Sequence, residues 1–146
     1  MKKAVCIAVC LWTLLLVCGC GAKEQNDMEN KNVQTVTIVN DVRIADVWIL
    51  SDTQQNRKTT VWGTATAAGV KTGESRQAPL CEPGDDGLYL LRMIDTEGYF
   101  YSASGITLNA GWTIRVQGDE LQTVTAEVAD ENGVLRNTYK VFSAKL

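Results

Sequence analysis

No histidine occurs anywhere in the chain, and proline occurs only twice. Without imidazole, neither a Ser-His-Asp triad nor a Cys-His pair can be assembled, and zinc sites built on histidine are excluded. Basic residues are the minority, 14 against 17 acidic, for a net charge of −3. Nucleic-acid binding depends on clustered Lys and Arg that neutralise phosphates, so nucleic acid is not an expected partner. The one long apolar run, residues 4–17, falls short of the roughly 20 residues that a membrane-spanning helix needs. At 146 residues, a single folded domain is the natural expectation.

Lys2 and Lys3 precede that apolar run, and the small residues Cys18-Gly19-Cys20-Gly21 follow it. A basic n-region, an apolar h-region and a small-residue cleavage zone make a secretory signal peptide. The shortness of the run favours a cleaved leader over a retained anchor helix. The segment ends in Val17-Cys18-Gly19-Cys20, which resembles the lipobox of bacterial lipoproteins: an aliphatic residue, a small residue, Gly or Ala, then Cys. Cys18 stands where Ala or Ser is more usual. The resemblance implies removal of residues 1–19, lipidation of the Cys20 thiol, and an exported protein anchored to the bacterial cell membrane rather than spanning it. Each buried methylene contributes about 0.8 kcal/mol, and two acyl chains hold where one detaches.

Cysteine and charge counts change with that processing. Cys6, Cys10 and Cys18 leave with the leader and Cys20 takes the lipid, so Cys81 alone remains and no internal disulfide can form. Loss of Lys2 and Lys3 lowers the basic count from 14 to 12 against 17 acidic residues, a net −5. Residues 20–32 contain almost nothing apolar beyond Met28. Such a segment cannot offset its ordering entropy and is expected to be a flexible tether reaching about 20 Å.

From residue 33 onward the texture is β-branched. Segments 33–39, 44–50, 88–95, 99–103, 112–117, 121–129 and 134–142 read as strands. Turn signals separate them: Asn40-Asp41, Pro83-Gly84-Asp85-Asp86-Gly87, Thr96-Glu97-Gly98, Asn109-Ala110-Gly111, Gly118-Asp119 and Glu131-Asn132-Gly133. Short strands with this punctuation predict an all-β domain over 33–146, an antiparallel β-sandwich, immunoglobulin-like or related, with seven to eight strands. Residues 53–73 read as a loop with one short strand near 59–64.

Several groups of residues carry a second resemblance. Val36-Thr37-Ile38-Val39-Asn40 is followed by Ile44 with Val47-Trp48-Ile49, then Trp62-Gly63, Gly73-Glu74-Ser75, and Tyr89-Leu90-Leu91-Arg92-Met93-Ile94-Asp95 with Gly98. This order is similar to that of small bacterial β-sandwich modules found in secreted and lipid-anchored proteins. Their opening strand leads to an "I-x-x-L-Y-I-S" strand, a lone Trp, a "P-G-E-S" turn and a "Y-D-L-R-V-x-D-x-D-G" hairpin. The likeness runs from about Val36 to Val116 and departs at Val42, where Thr or Ser is usual, and at Thr72, where Pro is usual. It implies a fold and a location, with no activity attached.

Three tryptophans follow the leader. Trp112 alternates with Thr113 and shares a face with Ile114 and Val116, which places it in the core. Trp62, beside Gly63, is expected to plug one end of the sandwich. On 44–50, Ala45, Val47 and Ile49 make one face, and Ile44, Asp46, Trp48 and Leu50 the other, wetter one. An outward Trp48 is the candidate contact for a protein or glycan partner, by stacking, or else it lies under a loop or against the C-terminal hairpin.

Acidic turns are the other constellation. Asp85, Asp86, Asp119 and Asp130 form a weak candidate set for calcium, which takes six to eight oxygen ligands. No D-x-D-x-D-G loop is present, and Asp beside Gly is ordinary turn chemistry. The serines lack a base, no S-x-x-K spacing exists, and no cleft is marked for paired carboxylates. Cys81 sits between Pro79 and Pro83, either buried as a small hydrophobe or exposed at an edge. With no activating cation beside it, a quiet thiol and a monomer are expected. The expected function is therefore non-catalytic and free of cofactors: a membrane-anchored surface lipoprotein that binds an envelope or extracellular partner, with a calcium- or small-ligand-binding accessory subunit as the alternative.

Overall fold

A computed structural model describes residues 33–119 and 123–145. The leader, Cys20 and the tether fall outside the described residues. Strict alternation in Thr-Val-Thr-Ile-Val-Asn makes β1 (Thr35–Asn40), with Val36, Ile38 and Asn40 fully buried on its inner face. There follow β2 (Ile44–Ser51), a one-turn helix α1 (Gln54–Lys58), β3 (Ser75–Pro79), β4 (Tyr89–Asp95), β5 (Tyr99–Ile106), β6 (Thr113–Asp119), β7 (Thr123–Ala129), β8 (Leu135–Lys140) and β9 (Phe142–Lys145).

These strands form two sheets, in the orders β3-β1-β6-β7-β8 and β2-β4-β5-β9. Their inner faces enclose one core that includes Ile38, Val47, Leu91, Met93, Tyr101, Ile114 and Val128. The domain is an all-β sandwich. Every strand pair is antiparallel except β1 with β6, which run parallel. No helix among the described residues is long and apolar enough to cross a membrane.

Nine strands appear among the described residues, where the pattern led us to expect seven or eight. β3 escapes notice because it buries only Ala78 and carries Pro79 at the sheet edge, the one place a strand tolerates proline. Residues 134–142, which read as one strand, are instead divided at Val141. There the chain leaves one sheet for the other, while Val141 packs on the core and its amide donates to the Val124 carbonyl. The short strand expected near 59–64 is absent, and that stretch is loop.

The earlier crossing, from β1 to β2, is built on Asn40. Its side-chain Nδ2 donates to the carbonyls of Ile44 (2.9 Å) and Val70 (2.8 Å), and its side-chain oxygen accepts from the Val42 amide. Just beyond it, register shifts between Ile44 and Asp46, so Ala45 is the extra residue of a bulge. The bulge corrects the face assignment: Ile44 joins Val47 and Ile49 in the core, while Trp48 and Asp46 face away. Thr72 takes the second position of the turn closed by the Glu74 amide on the Lys71 carbonyl, with Gly73 at φ +83° in the third. Proline favours that second position; here Thr72 donates its hydroxyl to the Val42 carbonyl at 2.7 Å instead.

Candidate functional site

Cross-strand register lines up Trp48 of β2, Arg92 of β4, Ser102 of β5 and Phe142 of β9 in one row on the outer face of the four-stranded sheet. Ile94 and Phe100 are opposite each other in the adjacent row. Left bare, so apolar a face would invite association. The chain covers part of it with α1 and the loop that follows.

Local chemistry positions this strap. Thr53 caps α1, its hydroxyl accepting from the Asn56 amide at 3.1 Å. Asp52, with its side chain fully buried, takes both Arg57 Nε (2.5 Å) and Nη2 (3.0 Å) and also the Gly105 amide (2.6 Å). Burial alone would raise the Asp52 pKa, but the Arg57 and Gly105 bonds outweigh it and hold the carboxyl below its ordinary value.

Arg92 completes the strap from beneath. It is only 5% exposed. Nη1 donates to the Thr59 carbonyl at 2.7 Å, and Nη2 to the carbonyls of Asn56 (2.9 Å) and Arg57 (2.8 Å). These are carbonyls that the end of α1 leaves without helical partners. The guanidinium carbon lies 4.8 Å from the Trp62 ring centroid and 5.6 Å from that of Phe100, within cation–π range. Trp62 and Phe100 stack tilted at 5.0 Å, and Trp48 meets Trp62 edge-on at 5.2 Å. Indole N–H groups fasten the loop as well: Trp62 donates to the Thr59 carbonyl and Trp48 to the Gly63 carbonyl. No carboxylate neutralises Arg92, and its Nε is buried with no partner among the described residues. Burial pushes its pKa below the ordinary arginine value, yet a guanidinium stays charged in any protein.

Between strap and sheet runs a cleft of about 440 Å³, lined by the aromatic trio with Arg57, Lys58, Thr59, Thr60, Gly63, Arg92 and Ile94. Its size and mainly apolar lining with a few polar groups match small-molecule sites. Three cations line it and no carboxylate does. Arg57 is balanced by Asp52; Lys58 forms no ion pair among the described residues.

No protein-family model, curated protein sequence or solved structure matches this chain. The site is therefore read from its own geometry.

Of the residues singled out from sequence, Trp48 does face outward from the sheet but is 8% exposed, beneath Trp62 and the Gly63 carbonyl. It contributes to the floor of the cleft, and the ring offered more openly is Trp62. Trp62 does not plug an end of the sandwich as expected; it lies on the outer face, where Arg92 and Phe100 supply a partner surface. Trp112 is half-buried against the core, its indole donating to Glu131 Oε2 at 3.0 Å. Asp85 and Asp86 are exposed in the turn ahead of β4. Asp130 is consumed by the Asn132 and Val134 amides and by Arg136. The Asp119 side chain lies outside the described residues. No group of three His, Cys, Asp or Glu among the described residues is placed to hold a metal. Cys81 is exposed rather than buried, its thiol donating to the Ile49 carbonyl at 3.6 Å. Sequence reasoning missed Arg92 and Phe100. The available signal was a lone charge in the middle of the apolar run Tyr-Leu-Leu-Arg-Met-Ile.

Proposed function

We propose that this chain is a non-catalytic, membrane-anchored surface lipoprotein whose β-sandwich binds an envelope or extracellular partner through the cleft over β2, β4 and β5. One observation carries the binding role: half-buried Trp62 and Phe100 present rings beside uncompensated cations, in a recess whose walls contain no carboxylate, thiol or serine. Rings of this kind supply large contact area at little entropic cost. Anchoring rests on the lipobox and the leader ahead of it.

Two measurements test the reading. Labelled palmitate is expected on the wild-type protein, and Cys20→Ala is expected to carry none and to leave the membrane fraction. Label persisting on Cys20→Ala would refute the anchor. Purified Cys20→Ala protein, which carries no lipid, is expected to be retained by isolated cell envelopes, and the Cys20→Ala/Trp62→Ala double variant to be washed off. Equal retention of the two would move the binding site elsewhere.

A further inference from the structure

We infer, resting on the reading that this cleft is the binding site, that its ligand is an acidic saccharide: a sugar ring bearing a carboxylate stacks on Trp62, which Phe100 and Arg92 back, while Lys58 meets the carboxylate.

Charge gives the first argument. The chain is acidic overall, with 17 acidic residues against 14 basic, so a recess lined by Arg57, Lys58 and Arg92 with no carboxylate runs against the average of the surface. Arg57 is already paired with Asp52. Lys58 and Arg92 are not paired with any carboxylate among the described residues, and Arg92 Nε is buried without a hydrogen-bond partner among them. Two uncompensated cations favour an anion there, the more so because the aromatic walls displace water and weaken screening.

Ring chemistry gives the second. An aromatic ring is negative on its face, and one face of a pyranose carries only C–H groups, weakly positive and apolar, so the two surfaces stack. Exposed Thr60 and the Gly63 backbone at the rim suit ring hydroxyls. A uronate carboxyl is bonded directly to the sugar ring. Stacking therefore fixes the anion at the edge of the stack, within a lining whose exposed, ion-pair-free cation among the described residues is Lys58, whereas the carboxylate of an acidic peptide swings on a flexible stem.

The test titrates full-length protein in detergent micelles with trigalacturonate and with the neutral galactotriose, following tryptophan fluorescence and heat. Trigalacturonate is expected to bind, and galactotriose to bind about tenfold more weakly or worse, a difference of about 1.4 kcal/mol. Added salt is expected to narrow the gap. Lys58→Glu, an exposed change that leaves the strap intact, is expected to abolish the preference; Trp62→Ala is expected to abolish binding of both sugars. Equal affinity for the two sugars, or a preference that survives Lys58→Glu, would overturn the inference. So would binding of neither sugar while Trp62-dependent retention on envelopes persists, and in that case the binding reading would stand. Retention on envelopes that ignores Trp62→Ala would instead bring down the binding reading itself.

Discussion

Tyr101 has its ring wholly inside the sandwich and donates its hydroxyl to Asp95 Oδ2 at 3.1 Å. Burial, then that bond and the Asp95 charge, push its pKa up to about 12, against about 10 in an unfolded chain. The native state thus keeps the proton longer than the unfolded one. The stability tied to this group is complete below about pH 10 and is lost as pH rises towards 12. In a tyrosinate absorbance titration, a late step is expected from the wild type and a smaller one from Tyr101→Phe, since Tyr89 is also raised by burial. An unchanged late step in Tyr101→Phe would contradict this. The same Asp95 accepts the Glu97 and Tyr99 amides through Oδ1, so one carboxylate both shapes the β4–β5 turn and holds a core phenol. Asn40 does comparable work at the first sheet crossing, and both are buried polar groups whose partners are all backbone or core atoms.

At the scale of elements, the strap depends on a close approach far from its aromatic end. A Cβ on Gly84 would fall 2.3 Å from the Asp52 carbonyl oxygen and 2.4 Å from its amide nitrogen. Overpacking of that kind costs about 1–3 kcal/mol. Gly84→Ala is expected to lower the denaturant midpoint accordingly and, because Asp52 holds Arg57, to shift the emission of Trp48 and Trp62. An unchanged midpoint would show that the 84–88 turn moves aside freely. Most strands were legible from alternation, as in β1, or from largely apolar runs, as in β4. β3 was not, because an edge strand that buries one alanine leaves no pattern. At the start of β2 Ile44 was put on the wrong face for a different reason: the Ala45 bulge shifts register by one residue, and one residue exchanges the two faces. The site was half legible. Trp48 was picked out by its outward position, but Trp62 lies in a loop with no periodicity, and Phe100 and Arg92 meet it only through pairings distant in sequence.

For the whole molecule, the odd cysteine decides what happens between copies. Cys81 is exposed, yet its thiol is turned to the Ile49 carbonyl and lies 3.7 Å from the Ser51 hydroxyl. A monomer is expected on non-reducing electrophoresis; a dominant dimer that vanishes with reductant and is absent in Cys81→Ser would overturn this. Within one copy, the chain passes between sheets five times among the described residues, from β1 to β2, β2 to β3, β3 to β4, β5 to β6 and β8 to β9, so neither sheet can leave without dragging the other. Strand β1 adds a directional property. It lies inside its sheet, with five residue pairs to β3 on one side and four to β6 on the other. A pull on the chain ahead of Thr35 along the strand axis strains both ladders in shear, sharing the load among all those pairs instead of peeling them one by one. A pull at Thr35 along β1 is therefore resisted by two ladders at once.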